Sequence, residues 1–74
     1  MPRLPVVQAL DAIRAFDRAG FTLQRWHGSH AILQDATGRH LSVPVHLRDL
    51  SVGTLRALIR QAGLSVDEFI NLLR

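Results

Sequence analysis

The first third of the chain carries apolar residues at every third or fourth position. This spacing favours an amphipathic helix over residues 5–19, with polar side chains on its outer side. Pro5 suits a first helical turn and Gly20 suits the position after the last one. The stripe expected to be buried consists of Val6, Leu10, Ile13 and Phe16.

The middle of the chain changes to alternation of apolar and polar residues, which is typical of strands. Three strands are predicted, over residues 21–26, 30–35 and 40–46, joined by a Gly28-Ser29 turn and a hairpin connection around Gly38. In the first strand, strict alternation places Leu23 and Trp26 on opposite faces. Pro44 cannot donate a backbone hydrogen bond, which predicts an edge position for the third strand.

The last third returns to helical spacing. Ser51 is a good N-cap for a helix that ends at Gly63, and its predicted buried stripe is Leu55, Leu58, Ile59 and Ala62. Ser65 and Glu68 have the spacing of a capping box and open a short final helix over residues 66–73.

This order predicts an α+β fold: a two-layer α-β-β-β-α(-α) domain with a three-stranded antiparallel sheet and both main helices on one face. Double-stranded-RNA-binding domains share the order, which is an analogy of fold alone. With 74 residues, we expect residues 1–74 to form one small domain.

Composition narrows the function only slightly. All nine basic residues are arginine and the formal net charge is +3, a mild bias toward polyanions such as RNA. The absence of cysteine excludes disulfides and thiolate metal sites. Because neither a signal peptide nor an apolar run of membrane-spanning length is evident, we expect a cytoplasmic protein without membrane association.

The four histidines suggest three kinds of chemistry: metal binding, hydrolysis by an activated serine, and metal-free cleavage of RNA. Their spacing lacks helical ligand pairs, so we expect no metal site and no cofactor. Ser29 and His30 are neighbours on a strand and point apart, a poor nucleophile–base pair. Metal-free cleavage of RNA fits better, because RNA supplies its own 2′-hydroxyl and needs only proton transfer and charge neutralisation. His30 with Gly28 and Arg25 could provide this, or His30 is simply a polar residue beside a turn.

Three stretches carry a family resemblance: "GFTLQRWHGSHAIL", "GRHLSVPVH" and "VGTLRALIRQAGLSVDEF". In this order and spacing they resemble the HicA family of bacterial toxins. The resemblance implies a double-stranded-RNA-binding-domain-like fold and an endoribonuclease that cleaves messenger RNA without a metal. It also implies a HicB-like antitoxin as partner. We expect the free form to be monomeric.

The resemblance assigns the catalytic role to His30, because the histidine of Gly-Ser-His is catalytic in that family. It implies that Gly28 and Ser29 shape the turn beside the RNA backbone. His46 also belongs to the family pattern. Its role is open: it could position the substrate, act as a second proton carrier or have a structural function. His27 lies outside that pattern and is interpreted as incidental.

Two further expectations concern residues near the proposed site. Arg25 and Arg39 are predicted to hold phosphate because they flank it. Trp26 either stacks on a base or on the antitoxin, or it lies beneath a helix.

Two other functions remain open at this point. The chain could be a non-catalytic RNA-binding module of the same fold, such as an inactive toxin remnant. It could also be a protein-interaction domain, for which small size and low charge are the only support.

Overall fold

A computed structural model describes residues 3–46 and 48–74. The expected domain also includes Met1, Pro2 and Leu47, which lie outside the described residues. Over the described range the chain forms, in order, β1 (Val7–Gln8), α1 (Ala9–Arg18), β2 (Thr22–His27), β3 (His30–Gln34), β4 (His40–Pro44), β5 (Asp49–Leu50), α2 (Val52–Gln61) and α3 (Val66–Leu72).

The main sheet consists of β2, β3 and β4, antiparallel and in that order, while β1 and β5 pair separately. Pro44 therefore lies on an edge strand, as predicted. Alternate residues of β3 and β4 are buried on one face and join the side chains of all three helices in one cluster: Ala31, Leu33, Leu41, Val43, Phe16, Leu55, Ile59 and Phe69. The predicted α+β fold is confirmed, and the opposite face of the sheet, called the open face below, carries no helix among the described residues.

The start of α1 differs from the prediction. The helix begins at Ala9 rather than near Pro5, because Val7 pairs with Leu50 and the Ala9 N–H donates to the Arg48 carbonyl at 3.0 Å. These contacts hold Val7 and Gln8 in an extended conformation.

The buried stripe of α1 also differs. It is formed by small side chains and one aromatic ring, namely Ala9, Ala12, Ala15 and Phe16. Val6 and Leu10, expected to be buried, are 79% and 55% exposed. Alanine side chains are short and allow the helix to approach the sheet closely, so the larger aliphatic residues remain at its flank. Of the predicted stripe, only Phe16 is fully buried, with its ring 5.1 Å from that of Phe69.

A β-bulge in β2 overturns the predicted faces of that strand. Leu23 pairs with Leu33, whereas Arg25 pairs with Ile32, so Gln24 is the extra residue. This residue shifts the alternation by one position. Trp26, opposite Ala31, therefore lies on the same side of the sheet as Leu23 rather than on the other side.

The last two helices match the sequence analysis closely. Ser51 accepts a hydrogen bond from the Thr54 N–H, and the predicted stripe from Leu55 to Ala62 is buried. Ser65 and Glu68 form the predicted capping box, in which the Ser65 N–H donates to Glu68 at 2.8 Å. That backbone bond, together with the Ser65 side chain, lowers the pKa of Glu68.

Candidate active site

The turn between β2 and β3 has two residues, Gly28 and Ser29. Gly28 has a φ of +60° and Ser29 does not take positive φ, the combination that a type II′ hairpin requires. The Val45 N–H donates to the Ser29 carbonyl at 2.9 Å, which fastens this turn to the chain after β4. The turn is thus a fixed part of the sheet, and the strands that it joins are in a defined register.

That register places His30 on the open face. His30 lies opposite His27 on one side and opposite Pro44 on the other. Its neighbours in β3 that point the other way, such as Ala31, are buried under the helices. His30 itself is partly buried, so its ring is held by neighbouring strands while remaining accessible from solvent.

Arg25 is on the same face. It pairs with Ile32, two residues from His30 along β3, and is exposed. This places Arg25 diagonally across from His30, at a spacing of about 7–8 Å between backbones. The predicted proximity of Arg25 to His30 is therefore present in the structure, and it depends on the Gln24 bulge, which turns Arg25 toward the open face.

His46 completes the group from the other side. Its ring centroid lies 5.9 Å from that of His30, with the two planes tilted by 48°. Its Nδ1 atom is 3.4 Å from the Ser29 hydroxyl oxygen, a long hydrogen bond. The sequence-predicted residues Gly28, Ser29, His30 and His46 are thus together at one end of the sheet.

Arg39 is not part of this group, which corrects the expectation that it flanks the site. It precedes β4, at the end of the sheet remote from the Gly28 turn and about five strand residues, or roughly 17 Å, from His30 along the sheet. Its guanidinium donates to the Ala62 carbonyl at 3.1 Å, at the C-terminal end of α2. The guanidinium of Arg39 therefore makes a structural contact at a distance from His30.

The same remote hairpin contains a carboxylate, Asp35, whose pKa is lowered in the folded protein. Desolvation acts to raise the pKa of Asp35, but hydrogen bonds from Thr37 and the Arg39 N–H, together with the Arg39 charge, outweigh it and hold that pKa below its usual value. Asp35 accepts from the Thr37 N–H at 3.0 Å and from the Arg39 N–H at 2.8 Å. The role of Asp35 is to close this hairpin.

The structure places two further residues near the site. His27 was interpreted as incidental, but the two-residue turn makes it the direct cross-strand partner of His30. That spacing was the available signal. Arg48 borders an open cleft of about 580 Å³ together with His46 and the first residues of α1. No local pattern around Arg48 marks it, because the cleft is formed by residues distant in sequence.

Trp26 matches neither predicted environment fully. It lies on the helix side of the sheet and yet is 51% exposed, because β2 is an edge strand that the helices cover only in part. It is therefore on the side away from His30.

The site offers imidazole and guanidinium groups. Among residues 3–46 and 48–74, no three His, Asp or Glu side chains are grouped so as to hold a metal ion. No helix in this part of the chain is long and apolar enough to cross a membrane. The arrangement can donate and accept protons and attract an anion.

The sequence is similar to a known protein family. The sequence model described as the HicA toxin of bacterial toxin–antitoxin systems matches residues 10–64, which include β2, β3 and β4 in full. Comparison with curated proteins gives no match.

Proposed function

Because the chain belongs to the HicA toxin family, we propose that it is a metal-independent endoribonuclease that cleaves messenger RNA and so inhibits translation. His30 acts as general base or general acid, and a HicB-like antitoxin in the same cytoplasm neutralises the enzyme. The single observation that carries this proposal is the position of His30. It lies on the open face, beside a rigid Gly28 turn and with a second imidazole 5.9 Å away.

The chemistry of RNA makes such a small site sufficient. The 2′-hydroxyl is the nucleophile, so the protein has to move protons and neutralise charge on the phosphate. Imidazole titrates between pH 5 and pH 8 and can both accept and donate a proton near neutrality. His30 can approach the backbone of a bound strand because no helix of the described chain covers the open face.

Two arginines support the binding of phosphate. Arg25 extends from β2 on the open face, and Arg48 lies beside His46 at the cleft. Guanidinium groups bind phosphate through paired N–H donors and remain charged at any physiological pH. Arg48 is therefore proposed to bind phosphate together with Arg25, whereas Arg39 is remote from His30 and contacts α2.

The partner follows from the same geometry. An antitoxin that neutralises the enzyme by blocking substrate has to cover the open face around His30. This face is reached without displacing a helix, so a HicB-like protein can bind the folded toxin directly.

The test is cleavage of RNA by purified wild-type protein and His30→Ala, in excess chelator. We expect the wild type to cleave and the variant to lose roughly 10²–10⁴-fold in rate, the usual contribution of a general acid or base. His40→Ala is the matched control, since His40 is exposed on the same face but pairs with Gln34 at the far end. It should cleave at nearly the wild-type rate.

Three results would contradict the proposal. Folded His30→Ala that cleaves at the wild-type rate would exclude His30, and loss of wild-type activity in chelator would exclude a metal-free mechanism. Wild-type protein that binds RNA without cleaving it would favour the non-catalytic RNA-binding module. In cells, wild-type protein without antitoxin should arrest growth and His30→Ala should not.

A further inference from the structure

We infer that His46 is a second catalytic residue, and that His30 and His46 act as a pair, one as general base and the other as general acid. This inference rests on the proposed function. The inference goes beyond the proposed function because it requires two imidazoles rather than one.

The reaction itself calls for two proton-transfer groups. The base removes the proton of the 2′-hydroxyl, and the 2′-oxygen forms a bond to phosphorus. The bond from phosphorus to the 5′-oxygen breaks, and the acid gives its proton to that oxygen. The products are a 2′,3′-cyclic phosphate and a 5′-hydroxyl, with one proton gained by the base and one lost by the acid.

These two protons move on opposite sides of the phosphorus atom, because the attacking and leaving oxygens are roughly in line. One imidazole within hydrogen-bond reach of one oxygen, about 2.6–3.2 Å, is poorly placed for the other. The rings of His30 and His46 are neighbours, with centroids 5.9 Å apart, and their 48° tilt directs them differently. A single phosphodiester group can therefore contact both.

The position of His46 is fixed by contacts to the turn that precedes His30. The Val45 N–H donates to the Ser29 carbonyl at 2.9 Å, and the Ser29 hydroxyl lies 3.4 Å from Nδ1 of His46. With Nδ1 directed toward Ser29, Nε2 is the atom left for substrate. Arg48 borders the cleft beside His46 and adds a cation on this side.

His27 is the competing candidate, since it lies directly across from His30 on β2. His27 and His46 are on opposite sides of His30, because β3 is the central strand. The ring contact of His30 is with His46. His27→Ala is thus the matched control for His46→Ala.

The experiment compares two oligonucleotides that differ at one atom, the 5′-bridging oxygen of the scissile phosphate or sulfur in its place. A thiolate leaves without being protonated, so the sulfur substrate no longer needs the acid. On the oxygen substrate we expect His30→Ala and His46→Ala each to lose roughly 10²–10⁴-fold in rate. On the sulfur substrate one of these two variants should recover to within about tenfold of wild type, and that variant lacks the acid. His27→Ala should resemble wild type on both.

Several outcomes overturn the inference. One is wild-type cleavage of the oxygen substrate by His46→Ala, which leaves the proposed role of His30 intact. Another is that both variants lose activity on the oxygen substrate, but either neither of them or both of them recover on the sulfur substrate. If His46→Ala does not fold, His46→Gln keeps a polar side chain of similar size and takes the same test. Wild-type protein that cleaves neither substrate contradicts the proposed function itself.

Discussion

Gly28 and Gly53 are both exposed, and each would gain the same methyl group on substitution by alanine. Apart from the adjoining residues and, at Gly53, the backbone of its own helix, no heavy atom in the described part of the chain lies within 4 Å of the Cβ that either position would acquire. The two sites differ in backbone conformation. Gly28 has a φ of +60° in the II′ turn, whereas Gly53 lies in the first turn of α2. We expect the two substitutions to change stability in opposite directions.

The magnitudes follow from the backbone alone. A non-glycine residue held at an unfavourable positive φ costs roughly 1–3 kcal/mol. Gly28→Ala should therefore lower the free energy of unfolding by about that amount. Gly53→Ala should raise it by roughly 0.5–1 kcal/mol, because alanine loses less conformational entropy in a helix. For a domain of this size, each kcal/mol shifts the Tm by roughly 4–8 °C.

The assay is denaturant unfolding of both variants and wild type, followed by thermal unfolding. The slope of free energy against denaturant should be unchanged, so that the midpoints report stability directly. Gly28→Ala that is as stable as wild type, or two shifts of the same sign, would refute the assignment of the turn. In the cleavage assay Gly28→Ala should also be slower, because the turn positions His30, whereas Gly53→Ala should keep wild-type activity.

Three further predictions concern charge and binding. Folding lowers the pKa values of Asp35 and Glu68, so the stability they contribute is present above their ordinary pKa, about 4, and is lost as the pH falls below it. Asp35→Asn and Glu68→Gln should each weaken the fall of the denaturant midpoint between roughly pH 5 and pH 2, and an unchanged fall would contradict this. Arg25→Gln should reduce the slope of log affinity for RNA against log salt by about 0.7–0.9, which is the value for one phosphate contact. The control is Arg56→Gln, and equal slopes for the two variants would count against a phosphate contact at Arg25. A HicB-like antitoxin should slow amide exchange at His30, so unchanged exchange in a stable complex would disprove the expected interface.

The parts of the fold that the sequence predicted correctly are those encoded by neighbouring residues. The Ser65–Glu68 capping box, the α2 stripe and the Gly28-Ser29 turn depend on contacts over one to four positions. The face of α1 depends instead on its distance from the sheet. The sequence of α1 has two apolar faces. The alanine face is the buried one because the helix packs closely against the sheet, and the spacing of apolar residues does not reveal that distance.

The same distinction applies to the site. His30, Ser29 and Gly28 are adjacent in sequence, and Arg25 is one strand away, so their proximity was predictable. The choice of Arg39 assumed that closeness along the hairpins means closeness in space. In an antiparallel meander successive turns lie at opposite ends of the sheet, so the hairpin after His30 carries Arg39 away from it. Arg48 lies two residues after His46, but the cleft that both residues border forms only where they meet the start of α1, a tertiary contact without a local signature.

The two irregularities of the main sheet, the Gln24 bulge and Pro44, occupy its two outer strands. An edge strand offers unpaired N–H and C=O groups to which a strand of another molecule can bind. The bulge interrupts the regular ladder on the β2 edge. On the β4 edge, the Val45 N–H points inward to Ser29, so the preceding residue, Pro44, occupies a position whose N–H would point outward. Each free edge is thus a poor template for a further strand, and such interruptions disfavour edge-to-edge pairing between folded copies.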